Sequence, residues 1–548
     1  MKTKIFHIYF ITLLFLTLLS VIAFSENQYY IRTNAQGLND GSDWNNAFTD
    51  IPFALERGAT YYIADGNYPG NIIFNTPESG DTNIIIKKAT NDKHGTSQGW
   101  SNNYGKNSAN FEKIEFQTGH YILDGVKRDD KISGYGFIIT ANNDKNSGIT
   151  LSEVTDIIIQ YTEITAKNKV IHTEGIYAPD NVQNLEVKNS YFHDFFGVPI
   201  HMIKASKILI EDSIFSDTKS TPDWHSEGIQ ARGVTDLTVR NNIFKNIEGT
   251  GCIVSGSGFS NHWDIYGNIF DGESAIVTDN FIDQIDYVKV YNNVFTRGKS
   301  HKITFYNAGT HNFAYNNIFF CDYTESYDRT IVFEGVTHDY NYFSDCTSAY
   351  AFTSSEHETI MHDASYAKIS DSSGNPFVDI DNMNYHLKEP LPISGLQLQE
   401  GYDNIDPDGN VRGKDDLWDL GAYEYIESDS KKENIIEPTI EISNESQISE
   451  IQKDEVQESE DTNYHENSKT EHEDEILNNK VSNNSDEYNN DIIITNDSKI
   501  NNVTYAEDYQ NATPTIIKKE EKNIFYKIFL FIYDKILDFL DFILRIFE

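Results

Sequence analysis

One phrase recurs along the middle of this 548-residue chain and limits its fold more than any other feature. It runs from Val182 to Phe192, returns from Ser206 to Phe215 and from Val234 to Phe244, and survives in shortened form at Phe270, Phe295, Phe319 and Phe343. The closing Phe therefore comes back about every 25 residues, a period that marks stacked-repeat folds. Each period holds short alternating apolar runs and an Asn-containing turn, and none holds an apolar pattern long enough for a helix. Propeller blades need about 40 residues, whereas about 25 is close to one coil of a parallel β-helix.

In such a coil, Leu185 and Val187 face inward, the Asn turns the chain, and the Phe enters the following strand. Asn tolerates left-handed backbone geometry, and its amide can bond the same amide one coil above. Asn242, Asn268, Asn293, Asn317 and Asn341 are therefore expected to form a stacked turn ladder, with the Phe residues stacked beside them in the core. The composition agrees: 33 Phe, 33 Tyr and only 3 Cys suit a β-rich chain better than a helical bundle or a disulfide scaffold.

These features resemble the right-handed parallel β-helices of the pectate-lyase-like superfamily, with coils over roughly residues 60 to 345. The segment from Asp40 through Phe48 to Leu55, and then Tyr61 to Tyr68, looks like the opening of exported members. It implies a short amphipathic helix capping the open end, with Asp50 at its N-cap and Pro52 in its first turn, followed by the first strand. The segments Asn375 to Leu387 and Asp419 to Tyr425 look like the family's closing segment. The folded domain is accordingly placed at residues 26–426.

The ends read differently. Lys2 and Lys4, the apolar run Ile5 to Phe24 and the small residues Ala23 and Ser25 read as a secretory signal over residues 1–25, cleaved or retained as an anchor. Either way the chain is exported, to be secreted or held at the cell surface. Among the cysteines, Cys252 sits in an apolar strand pattern as a small buried hydrophobe, and Cys321 and Cys346 lie one repeat apart, close enough in the fold to leave a pairing open. Residues 427–520 are rich in acids, Asn and Ser and poor in aromatics, the composition of a disordered acidic tether. Residues 521–548 turn apolar again, with Lys527, Asp534, Lys535, Asp538, Asp541 and Arg545 falling mostly on one helical stripe. That amphipathic helix is expected to lie in a membrane interface or against an envelope partner, or to oligomerise through its apolar face. The net charge of −42 argues against nucleic acid as a partner.

One constellation carries chemistry. His172, Glu174 and Ile176 recur as His225, Glu227 and Ile229, in the same order with a Gly before each Ile, and the coil between contributes His201. Aligning Ile176, Ile200 and Ile229 as inward residues sets Tyr177, His201 and Gln230 in one outward column. Coils stack at about 4.8 Å, so Glu174 and Glu227 fall roughly 10 Å apart with His201 between them. Two carboxylates with a nearby histidine suit acid and base work on a glycosidic bond, including inverting hydrolysis. The phrase is similar to the Asn-Thr-Asp-Gly turn of polygalacturonases, with Glu174 or Glu227 in place of a catalytic aspartate. It departs from that family in lacking paired aspartates on the next coil, a Gly-His-Gly turn and an Arg-Ile-Lys motif.

A lyase would use the same residues otherwise. β-Elimination from a uronate needs its carboxylate neutralised and the adjacent proton removed. On this reading Glu174, Glu227 and Asp180 hold a Ca²⁺, His201, Lys204, Arg232 or Tyr177 act as base, and Tyr177, His172, His225, Gln230 and Trp224 bind the glycan. A zinc site on His172, His201 and His225, and a purely structural role in which these side chains bond the backbone of neighbouring coils, complete the alternatives. The leading expectation is a Ca²⁺-assisted lyase of acidic polysaccharide; the others are a surface glycan-binding protein without catalysis and an inverting glycoside hydrolase.

Overall fold

In a computed structural model of the chain, residues 27–398 and 401–426 are described, except for segments 142–146, 167–172, 222–224, 273–274, 279–284, 297–302, 306–307, 321–329, 334, 345–348, 352–358 and 362–375. The signal at 1–25, the tether at 427–520, the helix at 521–548, Cys321 and Cys346 lie outside the described residues.

The described part is a parallel β-solenoid. One coil illustrates it: strand Gln183–Lys188, a two-residue turn, strand Tyr191–His193, a longer turn, strand Ile200–Ile203, and a short turn into Ser206–Glu211 of the next coil. Strands of the first kind stack into a twelve-stranded sheet, and the other two kinds form the strips of a second sheet. Successive coils pair in register, Leu185 with Ile208, Ile208 with Leu237 and Leu237 with Trp263. Alternate residues of every strand are therefore sealed inside.

The Phe column occupies the second strip. From Phe192 to Phe343 the rings are fully buried and stacked nearly parallel, with successive centroids 4.6–5.1 Å apart. Beside it runs the amide ladder. Oδ1 of Asn268 accepts from both N–H and Nδ2 of Asn242, and the pattern repeats through Asn293, Asn317 and Asn341 at 2.9–3.1 Å. Ser213 and Ser190 continue it downward, Oγ of Ser213 accepting from the Ser190 N–H at 3.0 Å. The left-handed residue is not the ladder Asn but the one before it: Asn241, Asn292 and Asn316 have φ of 52–58°. The turn thus divides its work, one residue bending the backbone and the next bonding along the stack.

Two boundaries differ from the sequence reading. The solenoid starts at Gln28–Ile31, which pairs in parallel with Thr60–Ile63, rather than near residue 60. The capping helix is absent: residues 50–55 form no helical turn, and the one helix among the described residues is a 3₁₀ turn at Asn102–Gly105. The five residues between Pro52 and Gly58 are too few to hold a helix by themselves. Their amides bond outward instead, Leu55 to Thr76 Oγ1 and Glu56 to Tyr61 Oη, both side chains of the coils.

The closing segment does more than end the chain. Phe377–Asp379 and Asn384–Leu387 pair antiparallel, and Phe377, Tyr385, Leu420 and Tyr423 cover the outward column Ile214, Ile243, Ile269, Val294 and Ile318, each at most 4% exposed. Consecutive Ile and Phe are thus both buried, the Phe inside the solenoid and the Ile beneath this cover. Among the described residues no helix is long and apolar enough to cross a membrane.

Candidate functional site

The third strip carries the site, on strands Glu174–Asp180, Ile200–Ile203 and Glu227–Arg232. Ile176 pairs with Ile200 and Ile200 with Ile229, which sets Tyr177, His201 and Gln230 side by side on the outer face. Local sequence explains how the glutamates join them. A Cβ on Gly175 would lie 3.1 Å from the rings of Phe192 and Phe195, and one on Gly228 would lie 3.1 Å from Phe244 and 2.5 Å from the Cys252 carbonyl. Both glycines therefore face the core, as do the following Ile176 and Ile229. Two inward residues in succession shift the alternation and turn Glu174 toward the outer column.

Each glutamate holds a histidine. Glu174 Oε1 lies 2.7 Å from Nδ1 of His201 on the next coil, with side chains 22% and 12% exposed. Glu227 Oε1 lies 2.5 Å from Nδ1 of His225, and Thr250 Oγ1 is 3.0 Å from the same nitrogen. Here the exposures are opposite: the Glu227 side chain is 1% exposed and that of His225 is 66%. Burial pushes the Glu227 carboxyl above the ordinary carboxylate range, against the pull of His225, Thr250 and His201. A buried carboxylate thus presents an imidazole to solvent, and Nε2 of that imidazole has no partner among the described residues. His201 Nε2, by contrast, is enclosed and also has no partner among them. The Tyr177 ring packs at a tilt on His201, centroids 5.3 Å apart.

The opposite end of the strip is cationic. Arg232 lies two residues beyond Gln230, about 7 Å along the strand, and has no carboxylate partner among the described residues. Lys204 stands next to it and makes a long, exposed pair with Asp180 at 3.8 Å. The column Tyr177, His201, Gln230 is therefore flanked by glutamate–histidine pairs on one side and by cations on the other.

The three carboxylates expected to share Ca²⁺ do not come together. Asp180 is six residues from Glu174, roughly 15–20 Å along the strand, and faces Lys204. Glu227 is buried against His225, and among the described residues no three His, Cys, Asp or Glu side chains converge as metal ligands would. These residues do not fit a resident calcium, and no step here runs through one. His172 and Trp224 lie outside the described residues. The reading from sequence missed the partnership of His225 with Glu227. His225 stands two residues before Glu227 with the buried Ser226 between them, so in extended backbone both side chains fall on the outer side.

Comparison with known proteins gives the fold. The profile of the right-handed β-helix region matches residues 135–281, which contain the whole strip from Glu174 to Arg232. Among solved structures the chain is similar to the crystal structure of pectate lyase Pel9A, at 14% identity and a TM-score of 0.44, covering 73% of this chain and 96% of that chain. No curated protein sequence matches it.

Proposed function

We propose that this chain, a right-handed parallel β-helix, is an exported protein that cleaves an acidic polysaccharide by β-elimination on the strip from Glu174 to Arg232. The observation that carries the reading is the polarity of that strip: an exposed imidazole backed by a buried glutamate at one end, and at the other an arginine with no carboxylate partner among the described residues. A polyuronate lying along the strip over Tyr177, His201 and Gln230 would set the carboxylate of one sugar residue toward Arg232 and Lys204, seven residues and roughly 20 Å along the strand from His225. Nε2 of His225 would then take the proton from the carbon next to the carboxylate of a sugar residue further along the same glycan. The electron pair left behind forms the carbon–carbon double bond, the bond to the glycosidic oxygen breaks, and that oxygen takes a proton from solvent. Glu227 keeps the imidazole in the tautomer that accepts at Nε2. Glu174 fixes His201, and with it the Tyr177 ring, as the floor of the subsite.

The test is a panel of polyuronates followed by ultraviolet absorbance of unsaturated ends, with and without a chelator, on the full chain and on His225→Ala and Arg232→Ala. Activity that survives the chelator, falls by about 100-fold or more in His225→Ala, and shows a raised KM in Arg232→Ala is the expected result. New reducing ends without unsaturation would replace the lyase by a hydrolase working through Glu174 and Glu227. Binding of glycan without either product would leave a non-catalytic glycan-binding protein.

A further inference from the structure

A second groove lies on the twelve-stranded sheet, away from the strip described above, and encloses about 540 Å³. Its floor is the outward column of Leu209 and Thr238 on adjacent coils. One wall is built from residues in left-handed backbone conformation, among them Lys207 and Asp236 with φ of 57° and 55°. The other wall is Arg240 and Tyr266, held upright from outside because both donate to Asp403 Oδ2 of the closing segment at 3.1 Å. The closing segment therefore turns an otherwise flat sheet face into a trough along the solenoid axis.

The chemistry of the lining selects its occupant. Among the described residues, the side chains of Lys207, Asp236 and Thr238 have no hydrogen-bond or ion-pair partner, so donors and acceptors stand free at the coil spacing. Carboxylates of Asp156, Glu186 and Asp236 are interleaved with the cations of Lys207 and Arg240, so the trough has no single sign with which to attract a polyanion or a polycation. A floor with a single apolar step at Leu209 and the Thr238 methyl, and with hydrogen-bonding groups of both kinds at the edges, complements a chain of uncharged sugar rings with their apolar faces and hydroxyl rims. We infer that this trough is a second glycan-binding site, specific for uncharged polysaccharide and separate from the acidic-glycan strip.

Affinity electrophoresis of the full chain in gels containing soluble xylan, glucomannan or mixed-linkage β-glucan, with polygalacturonate as the acidic comparator, tests the inference. At least one neutral polymer is expected to retard the wild type. Leu209→Glu combined with Lys207→Gly, the latter chosen because glycine accepts the positive φ, should weaken that retardation by tenfold or more, with an unchanged circular dichroism spectrum. His225→Ala should leave it intact, so that failure of the elimination reading and failure of the trough are separately visible. Wild type passing every neutral gel unretarded, retardation equal in the double variant, or retardation confined to polygalacturonate would each overturn the inference.

Discussion

Removing one rung of the amide ladder tests how this solenoid is held together. Asn293 is fully buried, and its side chain takes part in five hydrogen bonds. It donates to the carbonyls of Ile265 and Tyr291 and to Asn317 Oδ1, and it accepts from the N–H and Nδ2 of Asn268. Asn293→Ala leaves the buried Asn268 N–H without an acceptor, in a place that water does not reach. An orphaned buried donor costs about 1–3 kcal/mol and each lost bond about 0.5–1.5, so a total loss of about 3–5 kcal/mol is expected after neighbours share what remains. Asn293→Ser should lose only about 1–2 kcal/mol, because a hydroxyl restores the acceptor. The lower coils already use that solution: Ser213 Oγ accepts from Ser190 N–H at 3.0 Å and donates to the Glu211 carbonyl at 2.8 Å. Urea unfolding followed by far-ultraviolet circular dichroism measures both values. If Ala and Ser are equally destabilising, or if neither departs from wild type by about 1 kcal/mol, the ladder is decoration and the core alone holds the coils.

Three further outcomes follow from the same geometry. Glu227 binds its proton more tightly in the folded chain than in the unfolded one, because it is buried, so its favourable contribution is complete at acid pH and is lost as pH rises through the folded value. The stability of Glu227→Gln relative to wild type should therefore improve between pH 4 and pH 7, which thermal melts at several pH values will show; a constant difference would refute it. His193 sits between Glu163 at 3.2 Å and Asp194 at 2.9 Å, and although burial pulls its imidazole down, the two carboxylates outweigh that and raise it above the ordinary histidine value. Its stabilisation is present below the unfolded value and disappears as pH climbs through the folded one, so His193→Gln should flatten the stability profile above about pH 6.5. Gly228→Ala drives a Cβ to 2.5 Å from the Cys252 carbonyl and 3.1 Å from the Phe244 ring, and should destabilise by about 1–3 kcal/mol, with His225 displaced and any lyase activity lost. Retained stability would mean that the coil yields more than its backbone contacts allow.

The glutamate–histidine strip shows where sequence reading works and where it stops. The register that sets Tyr177, His201 and Gln230 abreast follows from Ile176, Ile200 and Ile229 alone, because in a parallel solenoid equivalent residues must stack at one strand spacing. That the glutamates reach the same face does not follow, since strict alternation would point Glu174 and Ile176 the same way. The core-facing glycine between them decides it, and the cue was present in the Glu-Gly-Ile order of both copies. Similarly, Ile214 beside Phe215 signals burial on both sides of a strand, but nothing nearby in sequence says what covers the outer side.

Periodicity by itself determined the β-helix, the Phe column and the Asn ladder, because each coil meets the same environment as the last and therefore repeats the same side chain. Tertiary structure alone decided everything made between unlike parts. It placed the first rung at Gln28, refused a helix at residues 50–55, buried Glu227 beneath an exposed His225, and raised a wall at Arg240 and Tyr266 through contact with Asp403, 163 and 137 residues away in the chain. The physical reason is the range of the interaction: stacking of like on like is written into every repeat, whereas the fit of a closing segment to a sheet is a single long-range contact that no repeat encodes.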